Sequence, residues 1–491
     1  MLTLQKSGYQ MKMITVWLIS AGLAIFYLIV LLVASVELLV FANKVGPVIL
    51  LCTCFFGAYY SIKSSPQAFV SPQPWFFFAC AVYFGFGPLV YHFGTVQSVS
   101  YCDAFFRVGE VALLRTNLLN AVGIFVIVSG FILGKNIFKR KYSKCINVFN
   151  YIEVRRLMFF FLTTGLFVKY AFAFPYYMGF ITWVLPGIIQ HLATFTKIAI
   201  ILLFILVHKG YGQYKWILYF LLIEEFGSAI LTLSKLAIIE VFVAIGIGWY
   251  LTKHPTFRSL ALSTVALCLF YVLVLSPFIL FARFVAGSVG VGTLSEVSNT
   301  ATGMYNDKQR DNFADILPGV QGWWTRVAYA NAQAFAMTDY DKGKGGKTVS
   351  MIPYAFVPRL LFPEKPVMTP GREFTEIITG EETETATAAG FFAEAYWNGG
   401  WPLMFIISFI VALILSGFSI VAERFIVSGH YEYLPVIMIG ITVGYSPCDW
   451  FVVTYIGPLV NAITIYMSMR YLVMPLVRHN SHIAIRTLSH S

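Results

Sequence analysis

Charge is what this sequence has least of: only 12% of its 491 residues are Asp, Glu, Lys or Arg, against 58% hydrophobic. A soluble domain so poor in charge would show water more apolar surface than it tolerates, so a polytopic membrane protein is expected. Acid is the scarcer sign, 23 Asp/Glu against 34 Lys/Arg, leaving a net charge of +11. In a membrane chain that excess is accounted for by Lys/Arg held in cytoplasmic loops, and no nucleic-acid partner is expected. Cysteine is sparse too, seven in all, and Cys52, Cys54, Cys80 and Cys268 lie inside apolar runs as small hydrophobes. Cys52-x-Cys54 has no second His/Cys pair at ligand spacing, so neither a disulfide framework nor a zinc site follows. The first apolar run lacks a small-residue cleavage signature. It begins near Ile14 behind Lys6 and Lys12 and continues past Leu39, as a signal anchor and first span does.

A span needs about 20 mainly apolar residues. On that rule twelve helices are expected, near 14–40, 45–62, 75–95, 117–138, 157–180, 183–207, 214–232, 236–252, 260–284, 401–422, 434–453 and 455–475. The segment from Lys135 to Arg156 holds Lys135, Lys139, Arg140, Lys141, Lys144, Arg155 and Arg156 against one acid, Glu153. Positive charge stays inside, which fixes this segment, both termini, Lys209/Lys215, Lys253/Arg258, Arg424 and the Arg470/Arg478/Arg486 tail in the cytoplasm. The chain is thereby divided into an N-terminal bundle of about nine helices (1–285), a large extracytoplasmic loop (286–400) and a C-terminal part (401–491) of about three helices and a tail. The loop carries nine Lys/Arg against thirteen Asp/Glu, a balance of −4, so the rest of the chain carries +15.

Glu224, Glu225, Lys235 and Glu240 interrupt the seventh and eighth spans, where each charge costs roughly 2.5–3.5 kcal/mol to insert. Two accounts are open: an internal ion pair or loop between short spans, or a cation and carboxylates lining a cavity. Arg283 at the end of the ninth span is explained by snorkelling.

Inside the loop, Ser288–Asn299 is rich in Gly, Ser and Thr. Trp324, Val327, Ala328, Asn331, Ala334 and Phe335 recur at helical spacing, which predicts an amphipathic helix over Gln321–Met337 with Trp323/Trp324 at the membrane interface. The run from Asp339 to Lys347 (Asp-Tyr-Asp-Lys-Gly-Lys-Gly-Gly-Lys) follows no strand and opens no apolar helix, so it reads as a solvated turn and not a phosphate loop. Glu373, Glu376, Glu381, Glu382 and Glu384 crowd together as a solvated acidic face, and no metal is assigned to them. Arg359, Lys365 and Arg372 lie within fourteen residues among stiffening prolines. Such cations suit the diphosphate of a lipid-linked donor, Arg as a bidentate fork and Lys as a point charge. They could equally pair with Glu364 and Glu373 or with lipid headgroups.

The order of Arg326, Pro358-Arg359-x-x-x-Pro363-x-Lys365-Pro366, Gly371-x-x-Phe374, the Thr-rich step Thr383/Thr385/Thr387 and Glu394-x-Tyr396-x-Asn398 resembles that of the Wzy-type O-antigen and oligosaccharide repeat-unit polymerases. Ser234-Lys235 is similar to that family's intramembrane Ser-Lys/Arg step, and Asn398-Gly399-Gly400 stands where the family commonly has Asn-Phe-Gly. The likeness covers about 326–400 plus the Ser-Lys step. It implies an all-α, GT-C-like glycosyltransferase of the inner membrane that needs no metal or cofactor and transfers a growing glycan from undecaprenyl diphosphate to an incoming lipid-linked repeat unit. A chain-length regulator and a flippase are the partners it implies. On this likeness Arg359 and Arg372 hold the departing diphosphate with Lys365 assisting, and Arg326 orients. Glu394 accepts the attacking hydroxyl's proton, and Tyr396 and Asn398 contact sugar or anchor the following helix. A lipid-oligosaccharide flippase or other transporter and an O-antigen ligase are the rivals, the first favoured by intramembrane charge.

Overall fold

The computed structural model describes residues 2–138, 150–275, 324–357, 362–382 and 386–477, apart from residues 34, 65–67, 178, 182, 184, 232–234, 254, 363 and 367. Among them there is no strand. We number the principal helices α1 (Leu2–Val33), α2 (Val36–Ser64), α3 (Pro72–Phe93), α4 (Glu110–Ile137), α5 (Tyr151–Tyr177), α6 (Gly187–His208), α7 (Lys215–Leu231), α8 (Lys235–Lys253), α9 (Arg258–Leu275), α10 (Ala330–Asp341), α11 (Pro370–Thr379), α12 (Phe391–Ser428), α13 (Leu434–Tyr445) and α14 (Val452–Val477). Nine helices among the described residues are long and apolar enough to cross a membrane, in place of the twelve expected. The other three expected spans correspond to α7, 17 residues long with Glu224 and Glu225, to α8 with Lys235 and Glu240, and to the short α13.

The chain folds as two units, one of residues 1–149, 186–188 and 325–491, the other of 150–185 and 189–324. In the first, α4 is the central helix, buried nearly all round, which is why its sequence is apolar without a polar stripe. Small residues let α12 approach it. A Cβ at Gly130 would come within 2.4 Å of Ala412, and one at Gly134 within 2.6 Å of Ser416. This is the small-residue seam by which membrane helices bring their backbones together in the absence of a hydrophobic drive between them. The outer faces of α1, α12 and α14 carry exposed Leu18, Ile25, Leu32, Phe405, Ile406, Ile463 and Leu472, the surface lipid would cover.

Within this unit the polar material gathers at one end of the helices. The loop before α4 meets α10 there, where Asn331 donates to the Cys102 carbonyl at 2.6 Å. Arg424 and Phe138, joined by a 3.2 Å hydrogen bond, mark the opposite end. The predicted amphipathic helix over Gln321–Met337 differs in the structure: residues 326–329 form a turn and α10 starts at Ala330. Its helical periodicity is real, but Gln333 is buried as well, in a reciprocal amide pair with Asn120 at 3.0 Å both ways, so the polar side of the helix is packed against protein too. Gln321–Trp323 lie outside the described residues.

Candidate functional site at the polar end of the helical unit

The first eight residues of α12, Phe391 to Asn398, form a short helix set off from the apolar part by a kink at Gly399 and Gly400. Gly400 holds φ at +62°, a region costly for side-chain-bearing residues, and a Cβ there would lie 2.9 Å from the Tyr340 ring. Trp401-Pro402 then opens the next segment, with proline near a helix start, where it costs no hydrogen bond.

Four side chains of this short helix grip one segment, Asp339 to Val349. Glu394 is fully buried, and its two oxygens accept from the Thr348 hydroxyl at 2.6 Å and from the Phe451 backbone N–H. Asn398, one turn on, donates to Thr348 Oγ1 at 2.8 Å and accepts from the Val349 N–H at 3.1 Å. The Tyr396 hydroxyl donates to Asp341 at 3.0 Å, and Arg115 of α4 pairs with the other oxygen of that carboxylate at 2.6 Å. Trp397 Nε1 donates to Asp339 at 2.9 Å and to the Lys344 carbonyl at 3.2 Å, while its own carbonyl accepts from Gly346 N–H at 3.0 Å. The run from Asp339 to Lys347, expected as a plain solvated turn, is therefore fixed along its backbone while Lys342, Lys344 and Lys347 stay exposed. Nothing in the sequence marks Arg115, Asp341 and Thr348 as partners of Tyr396 and Glu394, since they come from distant segments.

The other resemblance residues also form framework. Phe374 of α11 is fully buried with Trp397 at 5.1 Å, Trp450 at 5.2 Å and Phe335 at 5.6 Å. Thr387 N–H donates to Thr375 Oγ1 at 2.8 Å, and Gly371 leaves room for Ala386 and Trp450. Beside this framework burial raises the carboxyl of Asp449 above its ordinary range, opposed by a hydrogen bond with Ser446.

The proposed cations are less gathered. Arg372 is partly exposed and bridges to Glu376 at 2.9 Å, one turn along α11. Lys365 Nζ donates to the Val357 carbonyl at 3.1 Å, and Arg326 is exposed in the turn before α10. Arg359, Pro363 and Thr383–Thr385 lie outside the described residues. Of the acidic run, Glu373, Glu381 and Glu382 are exposed and Glu376 is taken by Arg372.

In the second unit the charges of the expected seventh and eighth spans have partners that the sequence hid. Lys169 lies 2.9 Å from Glu224 and 2.7 Å from Glu225, Tyr170 donates to Glu224 at 2.6 Å, and Lys197 pairs with Glu240. Both lysines sit inside runs otherwise apolar enough to pass as plain spans. The side chain of Lys235 and all of Ser234 lie outside the described residues. Removing one partner of a buried pair strands the other charge, at about 3–5 kcal/mol. Lys197→Met is therefore expected to reduce the amount of folded protein in the membrane sharply, and adding Glu240→Leu is expected to restore most of it. Quantitative immunoblotting of membrane fractions tests this, and a double variant no better than the single one would show that the pair is not the cause.

No family model, curated protein or solved structure matches the chain.

Proposed function

We propose that this protein is a membrane glycosyltransferase that polymerises undecaprenyl-diphosphate-linked oligosaccharide repeat units into O-antigen or a related surface polysaccharide at the periplasmic face of the bacterial inner membrane. The observation that carries the proposal is the ordered set of motifs in 326–400, supported by the packing of Gly371, Phe374, Thr387, Glu394, Tyr396 and Asn398 into one framework at the polar end of a helical unit. Departure of a diphosphate develops charge on the leaving group, so fixed cations contribute more than a strong base. In this proposal Arg359 and Arg372 hold the diphosphate with Lys365 assisting and Arg326 orienting. Glu394, Tyr396 and Asn398 act through the segment they grip, as positioning residues, because the first is sealed from solvent and the other two are engaged with Asp341 and Thr348. Twelve spans, a GT-C-like arrangement and both termini in the cytoplasm belong to the same proposal.

Loss-of-function glycan analysis tests it. Lipopolysaccharide limited to a single repeat unit is the expected result. Free polymer unattached to the core would mean a ligase, and lipid-linked units accumulating inside would mean a flippase. The flippase reading draws on one structural feature, the buried Lys169–Glu224/Glu225 and Lys197–Glu240 pairs, of the kind transporters place along substrate paths. On topology, a periplasm-active reporter fused after Gly343 is expected to be active and one after Lys141 silent. The opposite pattern would move the motifs to the wrong compartment.

A further inference from the structure

We propose that Lys342, Lys344 and Lys347 form a binding site for the phosphate of an anionic lipid headgroup, displayed on a loop whose shape Trp397 and Tyr396 fix. Four observations lead to it. The three lysines are exposed, and none meets a carboxylate among the described residues. Among the described residues Asp341 is paired with Arg115 and bonded by Tyr396, and Asp339 accepts from the neutral Trp397 indole, so the three lysines and Arg115 against two carboxylates (4 − 2) leave a local balance of +2. Its backbone is set in advance: Gly343 turns at φ +80°, Lys344 N–H bonds to the Asp339 carbonyl at 2.9 Å, and a Cβ on Gly346 would strike the Trp397 ring at 2.4 Å. The residues between the lysines are all glycine, so no side chain screens an anion from them.

Position names the anion. The Tyr340 ring lies over Gly400, and Tyr396 bridges Tyr340 and Trp401 with ring centroids 5.4 Å apart on both sides. The loop thus stands over the first turn of an apolar stretch whose Phe405 and Ile406 are exposed, at the level where a bilayer would begin. The anions abundant at that level are phosphate esters, either of bulk phospholipid or of a polyprenyl diphosphate. Lysine serves them as a point charge that needs no planar fork. The site shares no residue with the set Arg359, Arg372 and Lys365, and it does not depend on the polymerase proposal.

The test is native mass spectrometry of the detergent-solubilised full chain, titrated with undecaprenyl diphosphate, phosphatidylglycerol and phosphatidylcholine, for wild type and two triple variants. Each surface lysine contributes roughly fivefold to anionic-headgroup affinity, so K342Q/K344Q/K347Q should bind at least one of the anionic lipids about a hundredfold more weakly. K342R/K344R/K347R should bind as wild type, and phosphatidylcholine should be unaffected throughout. Loss for undecaprenyl diphosphate alone identifies the carrier as the ligand, and loss that includes phosphatidylglycerol identifies bulk headgroups as well. Unchanged binding of both anionic lipids by the glutamine variant overturns the proposal, as does equal loss of phosphatidylcholine. Because the readout is binding, failure here leaves the glycan test standing, and failure there leaves this site standing.

Discussion

Glu394→Ala is expected to lower the thermal unfolding midpoint of the purified protein markedly and to release the Asp339–Val349 segment. The carboxylate is the shared acceptor for the Thr348 hydroxyl and the Phe451 N–H, and the side chain is fully buried. Two buried donors left unsatisfied cost roughly 2–6 kcal/mol together, a large share of the stability of an ordinary domain. Asn398 loses its footing with them, since its Nδ2 bonds to the same Thr348 oxygen. Glu394→Gln is the informative companion. Its amide oxygen can accept from Phe451 N–H while its NH2 donates to Thr348 Oγ1, so the bridge survives in part and the midpoint should fall less. If Glu394 instead accepted the attacking hydroxyl's proton, the glutamine variant would keep its stability and lose chain growth. Parallel measurement of unfolding and glycan length separates the two roles, and an unchanged midpoint in the alanine variant would falsify the bridge.

Arg359→Ala is expected to abolish long glycan chains while leaving the protein's abundance in the membrane near normal. In the sequence Arg359 stands between Pro358 and Pro363, and because proline restricts φ, presenting the guanidinium is expected to carry a small ordering cost. A lost charge-assisted contact to a developing anion costs about 2.7–4 kcal/mol, or a hundred- to a thousandfold in rate, by analogy with oxyanion-hole deletions. Arg359→Lys should recover only part of the activity because an ammonium lacks the planar fork. Polymerisation assayed in extracts supplied with lipid-linked repeat units measures it. A normal rate for the alanine variant would pass the diphosphate role to Arg372 or Arg326.

The membrane class and the position of most helices were legible from the sequence alone, because a run of about 20 apolar residues excludes water wherever it is placed and needs no partner to be recognised. The expected run 117–138 became α4, and 401–422 the apolar part of α12. The glycine pair after Asn398 was legible as a departure from the resembling family, though not as the kink it makes. Pairing between distant segments could not be read. Lys169 and Lys197 sit in runs apolar enough to mask them, so only the folded second unit brings them to Glu224, Glu225 and Glu240. Glu394, Tyr396 and Asn398 were recognised as a motif by resemblance, which offered a proton acceptor at Glu394 and sugar contact or helix anchoring at the other two. Their partners Thr348, Asp341 and Arg115 came only with the tertiary structure. A local pattern fixes which face of a helix a side chain occupies, whereas its hydrogen-bond partner is decided by whichever buried donor the packing of other segments brings within about 3 Å.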